Sequence, residues 1–279
     1  MSQCASPPYS FYEVKDGKPR CEGLVEHSLA TACVASKVFG ERLSRVFGNA
    51  DVDVGYLLNL SAYLHDIGKA SNLYQKKAAR LGEGGSMSFW LHHVVSFILL
   101  QVAYMRKTDP VLQYAAHAVV RHHQAMKTTQ KLCKADGKVI RDKADSKVIR
   151  DLAGAVRGLN IKWVEGVLEA GESRGFINRP HAEAVLEATG ELVRLDDESI
   201  ASLGEASCKG DLLKENPRLR RLITSVAGAV IVSDIAVSSL RRGGGSLLAE
   251  MWMRELPGLR HVAEKCISEA GGVRGNNLG

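Results

Sequence analysis

The sequence lacks the short motifs and long apolar runs that mark several common classes of protein. Its six cysteines never form a Cys-x-x-Cys pair, which argues against a zinc ribbon and against a disulfide-rich secreted scaffold. No Gly-x-x-x-x-Gly-Lys-Ser/Thr segment occurs, so the chain carries no P-loop ATPase motor. The N-terminus has no signal-peptide pattern, and the longest apolar stretch, residues 223–237, is too short to span a bilayer. We therefore expect a cytoplasmic protein without membrane contact.

The length and composition are those of an ordinary globular protein. The chain has 279 residues, of which 45% are hydrophobic, enough for a sizeable core in one large domain or two small ones. We predict a single domain over residues 1–279. The net charge of +6 suits an anionic partner, and a mildly basic soluble protein is an equally good interpretation of the charge alone.

Apolar residues at helical spacing recur along most of the chain. Helices are predicted over residues 23–47, 52–67, 89–105, 111–123, 217–240 and 246–270, with two or three more between residues 152 and 211. Residues 1–22 contain three prolines and no helical period, so we predict an irregular lead-in there. Residues 271–279, rich in glycine and asparagine, are predicted to be a flexible tail.

The chain is organised around Leu64-His65-Asp66-Ile67-Gly68-Lys69, at the end of an apolar run. A carboxylate that faces a core must be paired, protonated or bound to metal. More histidines and one more aspartate lie within or beside other apolar runs, at His27, His92-His93, His122-His123 and Asp234. Asp234 has no basic residue three or four positions away, so a distant positive charge must compensate it. His27, judged alone, is more often a core residue than a ligand.

Three other polar residues have simpler interpretations. His117 is five residues from His122 and cannot share its helix face, so we interpret it as structural. His181 follows a proline and is predicted to be exposed. Lys69 either balances a helix C-terminus, contacts a substrate phosphate or holds a carboxylate of the site.

A basic segment over residues 125–151 contains a tandem repeat. Lys-Ala-Asp-Gly-Lys-Val-Ile-Arg-Asp (134–142) is followed directly by Lys-Ala-Asp-Ser-Lys-Val-Ile-Arg-Asp (143–151). Such a duplication would disrupt a packed helix pair, so we expect a basic surface loop or an exposed helical extension. Residues 127–150 carry a net charge of +5, which is typical of a solvated surface and would also steer nucleic acid toward a phosphodiester-cleaving site.

Imidazole and carboxylate together indicate a metal site. This donor set favours first-row transition ions over calcium. Five histidines and two aspartates exceed the three or four ligands that one metal usually takes from protein, and they suit two ions that share a bridging carboxylate. Two ions about 3.5–4 Å apart stabilise both the attacking and the leaving oxygen at a phosphorus centre. This is the chemistry of phosphoester hydrolysis.

The order of these residues resembles the HD phosphohydrolase superfamily. Within it, residues 24–240 resemble the CRISPR-associated HD nucleases, the nuclease part of the type I interference helicase–nuclease. The motifs are His65-Asp66-Ile67-Gly68-Lys69-Ala70-Ser71, Gln75, His92-x-x-x-Ser96, His122-His123 and Ser233-Asp234. The resemblance implies an all-α HD-domain helical bundle with a metal site at its centre. It also implies cleavage of single-stranded DNA and, in some members, of RNA.

The resemblance further implies a ligand set for two divalent ions, which would be Mn, Ni, Co, Fe or Mg. One ion would be bound by His27, His65, Asp66 and Asp234, and the other by His92, His122 and His123, with Asp66 as the bridge. Asp66 and Lys69 would be the catalytic residues. His93 stands where the family often has glutamate, which leaves open whether His92 or His93 is the ligand. The His-x-x-x-Ser spacing favours His92.

The family's helicase is often fused to the nuclease, and no P-loop is present here. The resemblance therefore implies a separate helicase subunit and a CRISPR effector complex as partners, with single-stranded nucleic acid as substrate. Two alternatives remain open: an HD phosphohydrolase acting on nucleotides or cyclic dinucleotides, and a non-catalytic HD domain used for binding. The second is disfavoured because all seven ligand positions are filled.

Overall fold

The computed structural model describes residue 4 and residues 6–81, 84–122, 145–208, 216–243 and 247–271. The α-helices in these ranges are α1 (Leu24–Ala35), α2 (Glu41–Phe47), α3 (Val54–Leu64), α4 (Asn72–Gln75), α5 (His92–Lys107), α6 (Pro110–Arg121), α7 (Asp145–Arg157), α8 (Ile161–Ser173), α9 (Arg179–Leu192), α10 (Asp197–Cys208), α11 (Pro217–Arg242), α12 (Leu247–Glu255) and α13 (Leu259–Gly271). The strands are β1 (Tyr9–Lys15), β2 (Lys18–Gly23) and β3 (Gly85–Ser86). The predicted all-α helical bundle is confirmed, with a small sheet beside it.

The N-terminal segment folds as a β-hairpin, so the prediction of an irregular lead-in over residues 1–22 is wrong. β1 pairs antiparallel with β2 along one edge and with β3 along the other. The turn residues Asp16 and Gly17 have φ angles of 53° and 68°, as a tight hairpin turn with positive φ at both central residues requires. An Asp-Gly pair between two short segments is the sequence signal for such a hairpin. Here the prolines on either side of the Asp-Gly pair, Pro7, Pro8 and Pro19, make the two strands hard to recognise in the sequence.

Helix α3 forms the centre of the bundle and positions the His65-Asp66 pair. It packs against α1, α6 and α11, and its residues Leu57, Leu58, Leu60 and Leu64 are fully buried. Asp53 caps the N-terminus of α3 by accepting a hydrogen bond from the backbone N–H of Tyr56 at 3.0 Å. The helix ends at Leu64, earlier than predicted, and a 3₁₀ turn over Ile67–Lys69 follows. His65 and Asp66 therefore lie at the point where the chain leaves the core.

The long helix α11 brings Asp234 to the same centre. By length and composition this helix could cross a membrane, because it extends well beyond the apolar stretch of residues 223–237 noted in the sequence. About half of its most apolar part is buried, and it packs against α1, α3, α6 and α13. These contacts are those of a core helix.

Four of the cysteines are paired, which the sequence does not predict. Disulfides join Cys4 to Cys21 and Cys33 to Cys266, each with Cα atoms 5.7 Å apart. The second pair spans 233 residues of sequence and exists because α13 packs against α1. The absence of Cys-x-x-Cys therefore argues against a zinc ribbon but gives no information about such long-range pairs.

His181 is buried, with 3% of its surface exposed, so the prediction that it is exposed is wrong. Its Nδ1 lies 2.7 Å from the Tyr56 hydroxyl and its Nε2 lies 2.9 Å from Asp109 Oδ2. Asp109 caps α6 and Tyr56 lies in the first turn of α3. The ring therefore links the starts of α3, α6 and α9, which gives it a structural role.

The second copy of the tandem repeat reaches into a helix. Its residues 145–151 form the first turns of α7, and Val148 and Ile149 pack against the hydrophobic core. This part of the predicted basic loop is therefore helical. Residues 123–144, which include His123 and the first copy, lie outside the described residues, as does the predicted tail after Gly271.

Candidate metal centre

Five helices bring histidine and aspartate side chains to one point. His27 lies within α1, His65 and Asp66 follow α3, His92 begins α5, His122 follows α6, and Asp234 lies within α11. Four of these residues are less than 6% exposed: His27, His65, Asp66 and His122. The structure thus brings together every described member of the ligand set that the resemblance implies.

Asp66 is the hub of the cluster. Its Oδ1 lies 2.9 Å from His92 Nε2 and 4.0 Å from His122 Nε2. Its Oδ2 lies 3.4 Å from His65 Nε2 and 3.5 Å from His27 Nε2. One carboxylate therefore faces histidines from four helices, which is the placement that a bridging ligand needs.

Asp234 forms the second acidic pole. Its Oδ1 lies 3.1 Å from His27 Nε2 and 4.0 Å from His65 Nε2. The side chain is 22% exposed, so it is less buried than its position in an apolar helix suggests. The donor atoms of His27, His65 and Asp234 lie within 4.8 Å of one another, and so do those of His65, Asp66 and His122.

The histidines of the cluster share one orientation. In each histidine, Nδ1 faces an oxygen acceptor. His27 Nδ1 lies 3.0 Å from Glu22 Oε1, His65 Nδ1 lies 2.8 Å from the Ala62 carbonyl oxygen, and His92 Nδ1 lies 2.5 Å from the Phe89 carbonyl oxygen. The Nδ1 of His122 faces the Val119 carbonyl in the same way. Such acceptors hold the proton on Nδ1 and leave Nε2 as the ligand atom. All four Nε2 atoms point toward Asp66.

The donor set fits divalent cations on electrostatic grounds as well. The Nε2 of His65 is buried and has no hydrogen-bond partner among the described residues. Burial lowers the pKa of His27, but the charges of Glu22 and Asp234 outweigh it and raise the pKa to about 9. The space between these carboxylates therefore favours positive charge, which a bound cation would supply.

The charges around Asp66 keep that carboxylate ionised. Burial raises the pKa of Asp66, but His65, Lys69 and His92 outweigh burial and hold the pKa well below its usual range. Burial lowers the pKa of His122 to about 3, so this imidazole is neutral at pH 7. Ionised carboxylate and neutral imidazole are the forms that bind metal.

Lys69 holds Asp66 rather than extending into solvent. Its Nζ lies 2.6 Å from Asp66 Oδ2 and donates a second hydrogen bond to the Ser10 carbonyl at 3.1 Å. Gln75, also part of the quoted motif, bonds the backbone of Tyr9 and the Lys69 carbonyl at 2.8–3.0 Å. These contacts fasten strand β1 over the turn that carries Asp66 and Lys69.

Gly68 and Ser96 set the distance between the turn after α3 and the start of α5. A Cβ on Gly68 would lie 2.2 Å from the His92 carbonyl oxygen. Ser96 Oγ accepts a hydrogen bond from Gly68 N at 2.9 Å and donates one to the His92 carbonyl at 3.0 Å. The His-x-x-x-Ser spacing thus fixes His92 against the Asp66 turn.

The other histidines differ in position. His93 is buried and its ring centroid lies 5.6 Å from that of His92, but it is His92 whose Nε2 reaches Asp66. The geometry therefore favours His92 as the ligand. His117 packs its ring against Phe97 and makes none of the contacts with Asp66. His123, the remaining expected ligand, lies outside the described residues.

Glu22 is a site residue that the sequence does not reveal. It is 4% exposed and lies 3.0 Å from His27 Nδ1, and its carboxylate also faces Arg241 at 3.3 Å and Arg242 at 3.5 Å. Burial raises the pKa of Glu22, but His27 and the two arginines outweigh it and lower the pKa. Glu22 belongs to the segment predicted to be irregular, so no pattern marked it.

The fold and the cluster together define a class, the HD-type metal-dependent hydrolases. A comparison with protein-family models is more specific: the family described as Cas3, HD domain matches residues 13–239. The chain belongs to this family, and membership implies a CRISPR-associated, metal-dependent nuclease of the HD type. No curated protein and no solved structure matches the chain.

Proposed function

We propose that this chain hydrolyses phosphodiester bonds of single-stranded DNA, with RNA as a second substrate, and acts in CRISPR interference beside a separate helicase subunit. The observation that carries the proposal is the convergence of His27, His65, His92 and His122 on Asp66 through Nε2. The family membership supplies the nucleic-acid context.

We further propose that the cluster holds two divalent ions. His27, His65, Asp66 and Asp234 would hold one, and His92, His122 and the undescribed His123 the other. Ions bound here would supply Lewis-acid stabilisation of a phosphoryl group and a nucleophilic water of lowered pKa. Asp66 would contribute to both positions, and Lys69 would keep the Asp66 carboxylate in place through its 2.6 Å contact.

Softer ions should support activity at least as well as Mg²⁺. Imidazole suits Mn²⁺, Co²⁺ and Ni²⁺ better than it suits a hard, oxygen-seeking ion. Cleavage of a labelled single-stranded oligonucleotide, measured with each metal after chelation and reloading, tests this expectation. Full activity with Mg²⁺ and none with the softer ions would contradict the ligand set.

Substitution of the hub tests the two-ion arrangement. Asp66→Ala should abolish cleavage, because it removes a carboxylate that faces four histidines. His117→Gln is a matched control, since it changes a buried histidine outside the cluster, and circular dichroism verifies the fold of both variants. Wild-type cleavage by Asp66→Ala would overturn the proposal. Hydrolysis of nucleoside triphosphates or cyclic dinucleotides, without cleavage of DNA, would indicate the alternative phosphohydrolase.

A further inference from the structure

A cavity of about 270 Å³ opens beside the cluster. Its walls combine three aromatic side chains with two cations and the first ligand of α5: Phe11, Phe89, Trp90, Lys69, Arg242 and His92. Aromatic faces next to positive charge are the combination that binds single-stranded nucleic acid, where bases stack and phosphates meet cations. The cavity therefore has a composition that suits a nucleotide.

Each of the two cations already lies over an aromatic ring. The guanidinium carbon of Arg242 lies 4.3 Å from the centre of the Phe11 ring, and Lys69 Nζ lies 5.1 Å from the centre of the Phe89 ring. Both Phe11 and Arg242 are partly exposed. A planar guanidinium on a ring offers a second flat face to an incoming base.

At the Arg242 end of this wall, the guanidinium groups outnumber the carboxylate that they face. Arg241 and Arg242 share the carboxylate of Glu22, so two guanidinium groups face one acidic group. Arg242 lies at the longer of these distances, 3.5 Å. The Arg242 guanidinium can therefore bind a phosphate without moving away from Glu22.

The wall is built by parts of the chain that are fixed to each other. Phe11 lies on β1, which has a partner strand on each side, and Arg20 of β2 donates a hydrogen bond to the Arg242 carbonyl at the end of α11. Phe11 and Arg242 both lie outside residues 13–239, the part that the family model matches. The pair is thus a feature of this chain and not of the matched motifs.

We propose that Phe11 and Arg242 form a binding subsite for the nucleotide next to the phosphate that lies at the His92–Asp66 centre. The base stacks on the Phe11–Arg242 pair, and the neighbouring phosphate faces the Arg242 guanidinium. This subsite rests on the proposed function. Its two residues would set the affinity for substrate and the preference for unpaired bases.

The test compares two single-stranded oligonucleotides that carry the same phosphates. One has all its bases and the other has abasic positions throughout. Binding is measured by fluorescence anisotropy with the full chain, kept metal-free with a chelator so that no cleavage occurs. Phe11→Leu should weaken binding of the base-containing strand about 10-fold, because it removes the ring that supports the Arg242 guanidinium and with it the stacked pair on which the base lies. Stacking of one base on such an aromatic platform contributes on the order of that factor. Binding of the abasic strand should not change.

Two further variants are compared with Phe11→Leu. Phe11→Trp should retain wild-type affinity, because it keeps an aromatic face. Tyr12→Leu is the control, since Tyr12 is the next residue of β1, contacts the Tyr9 ring at 5.1 Å and is not among the residues of the cavity. It should bind both strands like the wild type.

The outcomes separate the subsite from the proposed function. Equal affinity of Phe11→Leu and the wild type for the base-containing strand would overturn the subsite, and so would equal losses for both strands. If the wild type cleaves single-stranded DNA with Mn²⁺ in either case, the proposed function stands. If the wild type neither binds nor cleaves single-stranded nucleic acid, both proposals fail.

Discussion

Glu22 should govern metal affinity although it does not face the centre of the cluster. Its carboxylate accepts from the Nδ1 of His27 at 3.0 Å, so it holds the imidazole with Nε2 toward Asp66 and Asp234. Both side chains are almost completely buried, so the contact is shielded from solvent. Loss of such an outer partner typically weakens metal binding about 10- to 100-fold.

The structure allows this range to be divided between two variants. Glu22→Gln keeps an oxygen acceptor but removes the charge, so we expect Mn²⁺ affinity to fall about 10-fold, or about 1.4 kcal/mol. Glu22→Ala removes both the acceptor and the charge, so we expect Mn²⁺ affinity to fall about 100-fold, or by about 2.8 kcal/mol. Isothermal titration calorimetry of the metal-free protein with Mn²⁺ measures both values.

Glu13→Gln is the matched control for Glu22. Glu13 lies on the neighbouring strand and pairs with Arg20 at 2.8 Å, where the two side chains are 24% and 42% exposed. A partly exposed pair of this kind contributes about 0–1 kcal/mol to stability, and Mn²⁺ affinity should not change. If Glu22→Ala binds Mn²⁺ as tightly as the wild type while Asp66→Ala does not, Glu22 does not orient His27 and the reasoning is refuted.

Three further predictions concern packing, pH and the repeat. Gly68→Ala should lower the free energy of unfolding by about 1–3 kcal/mol, because its Cβ would overlap the His92 carbonyl, whereas Gly190→Ala, with open space around it, should not destabilise. Burial lowers the pKa of His117 from 6.5 to about 4. Between pH 6.5 and pH 4, His117 is therefore protonated in the unfolded chain and neutral in the folded chain. Stability should therefore fall as pH drops through this window, by up to about 3 kcal/mol, and His117→Phe should remove that part of the slope. Deletion of residues 143–151 should leave the melting temperature nearly unchanged, because the first copy supplies the same residues to α7 with one glycine in place of serine.

Denaturant unfolding measures the first two predictions, and thermal unfolding measures the third. Equal stability of Gly68→Ala and Gly190→Ala would show that the turn adapts to a side chain. An unchanged pH slope in His117→Phe would show that His117 does not resist protonation. A cooperative loss of fold on deletion would show that both repeat copies are core structure. The deletion should also weaken DNA binding at low salt, because it removes three basic residues.

The sequence by itself determined the helical bundle and the chemistry of its centre. Periodic apolar residues place the helices, and a histidine or aspartate within such a run has a cost that only a partner or a metal can offset. His65, Asp66 and Asp234 are identified on this basis from the sequence alone. The inference holds because burial is encoded locally, in the spacing of apolar residues along one helix.

Tertiary structure decided the matters that depend on contacts between distant segments. Glu22 reaches His27 only because the hairpin folds onto α1, and the Cys33–Cys266 pair forms only because α13 packs on α1. The His-x-x-x-Ser spacing already favours His92 over His93, and the 2.9 Å approach of His92 to Asp66 adds a contact that only the packing of α5 against the Asp66 turn produces. Whether a charged side chain contacts a metal ligand depends on how distant helices and strands pack together. The spacing of residues along one segment does not contain this information.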